Sequence, residues 1–155
     1  MNKLTRLSYG GTAAIVTSMG LIVGLGAAGD RSATIIVSLI LVAIADNLTD
    51  SIAIHVYQES EKLESRQAFR STITNFLTRL LVSSSFVAMA ILLPLPYLIV
   101  VAVVWGMLLL GVLTYFVARE RGAAPGIEIV KHLASAIVVI GVSRAIGAWI
   151  IGRFS

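Results

Sequence analysis

Long apolar runs, separated by short polar or proline-containing breaks, dominate the chain. Five such runs stand out, at about residues 12–28, 33–57, 72–93, 97–118 and 131–151. Each has roughly the 17–25 residues that a bilayer crossing requires. The runs do not alternate apolar and polar positions, so they read as helices and not as the strands of a closed barrel. The pattern predicts an all-α polytopic membrane protein, with residues 1–155 forming a single transmembrane domain. Pro94 and Pro96 end the third run and make a tight hairpin into the fourth. The one substantial polar segment, 58–71, reads as a cytoplasmic helical continuation of span two. On that helix Lys62, Arg66 and Arg70 would line up at i, i+4 and i+8. Such a face suits anionic lipid headgroups; a metal-collecting helix is the sharper alternative.

Composition agrees with this class. The chain has 155 residues, of which 57% are hydrophobic and 13% charged, and its mean hydropathy is +0.94. A soluble domain of this size has too little interior to hide so much apolar surface. The distribution of basic residues then sets an orientation. Lys3, Arg6, Lys62, Arg66, Arg70, Arg119, Arg121 and Lys131 share one side if the N-terminus is cytoplasmic, against Arg31 and Arg153 on the other. That asymmetry predicts an inside N-terminus and, with five spans, an outside C-terminus. Residues 1–29 mimic a signal peptide, but their glycine pattern suits a retained, packed helix better. There is no cysteine, which excludes disulfides, thiolate metal sites and thiol catalysis. Hydrolase and P-loop motifs are missing, so neither an enzyme nor an NTP-driven pump is expected. No basic-aromatic stripe points to nucleic acid; the bilayer itself is the expected surrounding.

Within span two, Asp46-Asn47-Leu48-Thr49-Asp50 interrupts the apolar run. Ionisable groups inside a membrane are costly and are candidates for function. If hydrocarbon begins near Ala33, Asp46 lies roughly 20 Å down at 1.5 Å per residue, in the inner third of a core of about 30 Å. Asp50 is one turn lower, and i, i+4 spacing puts both acids on one face. Asn47 and Ser51 flank them with further oxygens. Clustered oxygens suit hard divalent cations such as Mg²⁺, Mn²⁺ or Fe²⁺, and a carboxylate there suits proton exchange. Arg79, in span three, falls at a similar depth. An Asp46–Arg79 ion pair tying spans two and three together explains the charges without transport. The two readings can coexist, because two acids face one nearby arginine.

Other candidates are weaker. His55 and Glu59 form a second i, i+4 pair at the expected cytoplasmic mouth and offer two metal ligands, although interfacial solvation is the plainer reading. Arg144 in span five either pairs or snorkels. His132 is expected at an interface. Met19 and Met89 read as packing rather than as sulfur ligands. Gly20-x-x-x-Gly24-x-x-x-Ala28 and Ser143-x-x-x-Gly147 are small-residue ridges that permit close helix contact, within a chain or across a two-fold axis.

Several of these features together resemble the vacuolar iron transporter (VIT) family over about residues 9–151. They are the five spans with an inside N-terminus, Val16-Thr17 followed by Gly24-Leu25-Gly26-Ala27, Ala45-Asp46 with Asp50-Ser51 and Tyr57, and the last span from Gly141 through Ser143-Arg144 to Gly147. The resemblance implies a homodimer that exchanges Fe²⁺ or Mn²⁺ for protons along a path between paired first helices, with the metal as cargo and no permanently bound cofactor. The chain departs from the family's pattern at four places. Ala13 stands for the first-span aspartate, Ile52 for the methionine after the second-span serine, and His55-Val56 for Gly-Glu. The large cytoplasmic insert is cut to 58–71. Any cation chemistry then falls to Asp46, Asp50, His55 and Glu59. The alternative is a non-transporting integral membrane module that binds a partner or lipid, its intramembrane charges serving helix packing.

Overall fold

The computed structural model describes residues 3–29, 32–60 and 65–154. Every regular element among them is helical: α1 (Lys3–Ala27), α2 (Ser32–Leu41), α3 (Asn47–Ser60), α4 (Ser65–Leu92), α5 (Leu95–Glu120) and α6 (Pro125–Phe154). A π-helical turn, Val42–Asp46, joins α2 to α3, so the two make one span. Five helical stretches are therefore long and apolar enough to cross a membrane, one for each apolar run in the sequence.

Two boundaries differ from the sequence expectation. Segment 58–71 does not continue span two. α3 ends at Ser60 and α4 already begins at Ser65, so Arg66 and Arg70 belong to the following helix; Lys62 lies outside the described residues. Likewise α6 starts at Pro125, a turn and a half before the apolar run. Hydropathy marks where lipid begins, whereas helix propensity, which Arg, Gln and Lys share with Leu, decides where the helix begins.

Local chemistry accounts for the turns. Pro94 sits extended, at φ −60° and ψ 148°, and Pro96 occupies the first turn of α5, where its missing N–H is not needed. At the other end of α5, Gly122 takes φ +66°. Its N–H donates to Arg119 O and that of Ala123 to Ala118 O, the paired bonds of a Schellman cap.

α1 lies at the centre of the bundle and packs on α4, α5 and α6. Its Ile15, Met19 and Ile22 meet Phe86, Leu98, Ala102, Leu110 and Ala136 in the core. Close approach depends on small residues. A Cβ on Gly106 would come within 2.6 Å of Met19 Cγ, so the glycine is the socket for that side chain. A Cβ on Gly147 would press on the backbone of Gly24 and Ala28 at 3.0 and 3.1 Å. The two ridges read from the sequence thus mesh with each other, α1 against α6, inside one chain.

Polarity is inverted relative to a soluble protein. The surface carries Leu, Ile, Val, Phe and Trp, while Ser18, Asn47, Ser51, Asn75, Arg79 and Ser83 are buried. That is the distribution expected where lipid is the solvent and polar groups find partners only inside.

Candidate functional site

The polar seam between α3 and α4 is built from two series of fourth-residue spacings. α4 contributes Ser71, Asn75, Arg79 and Ser83, all buried. Span two contributes Asn47 and Ser51, with Gln58 two turns further on, also buried. Residues four apart stand almost above one another on a helix, so each series forms one stripe.

Arg79 closes the seam near the middle of α4. Its Nη2 donates to Asp46 Oδ2 at 2.5 Å and its Nη1 to Asp50 Oδ2 at 2.6 Å. Its Nε donates to Asn47 Oδ1. The planar guanidinium fork suits this task, because acids one turn apart, Asp46 at the end of the π-turn and Asp50 on α3, match two of its edges. Asn47 is aimed by a second bond, Nδ2 to Ala43 O at 2.6 Å. Ala43 lies in the π-turn, where the Asn47 N–H reaches back to Val42 O instead. The wide turn leaves Ala43 O for a side chain, and so sets the amide that receives Arg79.

The cluster is uneven in burial and charge. The Arg79 side chain is 4% exposed, against 50% for Asp46 and 29% for Asp50. Two carboxylates facing one guanidinium leave a formal charge of −1 on the cluster. The sequence expectation of an Asp46–Arg79 pair is met by geometry, with one addition: Arg79 takes both acids and leaves neither to itself.

The other described candidates do not join this cluster. His55 packs one to two turns away, with Nδ1 3.4 Å from Thr72 Oγ1 on α4. The Glu59 side chain lies outside the described residues. Among the described residues no three His, Asp or Glu side chains gather into a metal-holding group. Arg144 is exposed on α6. His132 Nδ1 donates to Glu128 O at 2.8 Å, beside a Lys131–Glu128 ion pair of 3.0 Å. Met19 is fully buried in the core and Met89 packs against it.

Asn75 and the Gln58–Ser71 contact were not singled out from sequence. The signal was present: a polar residue at every fourth position from Ser71 to Ser83, in a span otherwise apolar enough for lipid. No protein-family model, curated protein or solved structure matches the chain.

Proposed function

We propose that this chain is a multi-pass membrane transporter for a divalent cation of the Fe²⁺/Mn²⁺ class, in which Asp46 and Asp50 take the ion when Arg79 releases them. The observation that carries this reading is the clamp itself. Two carboxylates one turn apart share a single guanidinium, keep a net negative charge and are partly exposed. A divalent cation competes with Arg79 for the same oxygens, and proton uptake by either acid weakens both occupants. The clamped arrangement is then the closed, unloaded state. Asn47 and Ser51 supply neutral oxygens beside the acids, and His55 lies on the route toward the α3–α4 end. A homodimer with the N-terminus inside is part of the proposal; a half-exposed Asp46 in a lipid-facing surface is the group a second copy would cover.

A second reading is favoured by the completeness of the same clamp: a non-transporting module in which Arg79 locks α3 to α4. The deciding experiment is Fe²⁺ or Mn²⁺ uptake into proteoliposomes, with and without a pH gradient. Transport predicts flux above empty liposomes in wild type and its loss in Asp46→Ala/Asp50→Ala. Equal flux in the two proteins, or none in wild type, removes the transport assignment and leaves the lock.

A further inference from the structure

Below the clamp, toward the end of the bundle where α3 gives way to α4, three buried polar side chains have atoms without a hydrogen-bond partner among the described residues. They are Ser51 Oγ, Gln58 Oε1 and both amide atoms of Asn75. None is accessible: Asn75 is 2% exposed, Ser51 and Gln58 4% each.

They line one continuous stretch of the seam. α3 and α4 run antiparallel, and their register is fixed by Gln58 Nε2 donating to Ser71 Oγ at 2.9 Å, by His55 meeting Thr72, and by Arg79 meeting Asn47 and Asp50. One turn along α3 answers one turn back along α4. Ser51 and Asn75 therefore fall in the same layer, between the Gln58–Ser71 bond and the clamp. α1 closes this layer from a third side at Gly10. A Cβ there would come within 2.9 Å of Arg79 Cγ and would collide with the Asn75 amide. Glycine offers the amide oxygen only a Cα–H, a weak partner.

An unpaired buried polar group is costly when dry, and lipid offers no relief. The Asn75 amide and Ser51 Oγ in one layer, with Gln58 Oε1 in the layer beside it, supply the two to four partners that an ordered water needs. We infer that Asn75, Ser51 and Gln58 hold ordered water, forming a hydrated step between the Arg79 clamp and the α3–α4 end of the bundle. The hydrated layer gives Asp50 a hydrogen-bonded route for protons toward the Gln58–Ser71 and His55–Thr72 pairs. It does not depend on cation passage, since a purely structural clamp would be hydrated in the same way.

Two measurements on the purified full chain test the inference, and neither uses transport. The first is thermal unfolding of wild type, Asn75→Leu, Ser51→Ala and the double variant in one detergent. Leucine nearly copies the shape of asparagine. If water bridges the layer, Asn75→Leu lowers Tm by several degrees, and Ser51→Ala in that background costs less than half of what it costs alone. An unchanged or raised Tm for Asn75→Leu means a dry, strained amide and overturns the inference. The second keeps the test open if Asn75→Leu does not fold. Because the chain has no cysteine, Ser51→Cys gives a single infrared S–H band. In D₂O this band converts to S–D at least tenfold faster than that of the lipid-facing control Leu81→Cys if the layer is wet. Equal or slower conversion overturns it.

Discussion

Removing the carboxylates one at a time should reveal that they share one arginine. In Asp46→Asn the guanidinium keeps Asp50 and Asn47, and the lost partner is half exposed. Screening at such a site limits the cost to about 1 kcal/mol or less. Asp50→Asn removes the better-buried acid, and a hydrogen bond to a charged group contributes about 1.5–3 kcal/mol; the exposed fraction brings the expectation to the lower end of that range. The double variant is different in kind. Arg79, 4% exposed, is left as a buried charge with only amide acceptors, and stranding one member of a buried pair costs about 3–5 kcal/mol. The double loss should therefore exceed the combined single losses by about 1–2 kcal/mol, in the range measured for groups in one network. A domain of this size loses roughly 2–4 °C of Tm per kcal/mol. The expected drops are then about 3 °C, 5 °C and 12 °C. Trp105 and Trp149 supply the fluorescence signal for thermal unfolding in detergent. Strict additivity would refute the bridging geometry, as would an Arg79→Met variant as stable as wild type.

Three glycine substitutions test the packing, read by the same thermal assay. Gly147→Ala should cost 2 kcal/mol or more, about the range for overpacking, because its Cβ meets the Gly24 and Ala28 backbone rather than a yielding side chain. Gly122→Ala should cost about 1 kcal/mol from the left-handed φ of the α5 cap. Gly111→Ala, whose Cβ meets nothing within 4 Å in the middle of α5, should instead stabilise by up to about 1 kcal/mol through helix propensity.

The five long apolar helices were legible because a helix able to cross a bilayer needs a set length and polarity, and both are written locally in the chain. The Arg79–Asp46 pairing was legible for a similar reason, since depth counted from the ends of two spans brings the charges level. The Asn75 layer was harder to read. An asparagine in a helix carries no sign of having a partner, and only the α3–α4 register with Gly10 behind it reveals that both its amide atoms are unpaired. The meshing of the two small-residue ridges was open in the sequence, because Gly-x-x-x-Gly spacing serves contacts within a chain and between chains equally well. The π-turn had no local signature, because Val42–Asp46 reads as ordinary apolar helix.

That π-turn has a definite task in the seam. Ile35, Leu39, Ala43, Asn47 and Ser51 are all buried and fall at every fourth position. In an α-helix of 3.6 residues per turn each such step overshoots by about 40°. Four steps would swing Ser51 about 160° from Ile35, to the far side of the helix. A π-turn absorbs about one residue, or roughly 100°, and returns Ser51 to within about 60° of Ile35. The wide turn therefore keeps Asn47 and Ser51 closer to the face of the span's apolar core than an uninterrupted α-helix would. Deleting Ile44, a half-exposed residue inside the π-turn, should convert it to regular α-helix with both flanking faces kept. The protein should stay folded with the clamp's contribution largely intact. Deleting Leu48, equally exposed but beyond the turn, rotates Asp50, Ser51 and Gln58 by about 100° away from α4, and should abolish the cooperative transition. Similar damage from the two deletions would mean that the π-turn does not set the register of the Arg79 clamp.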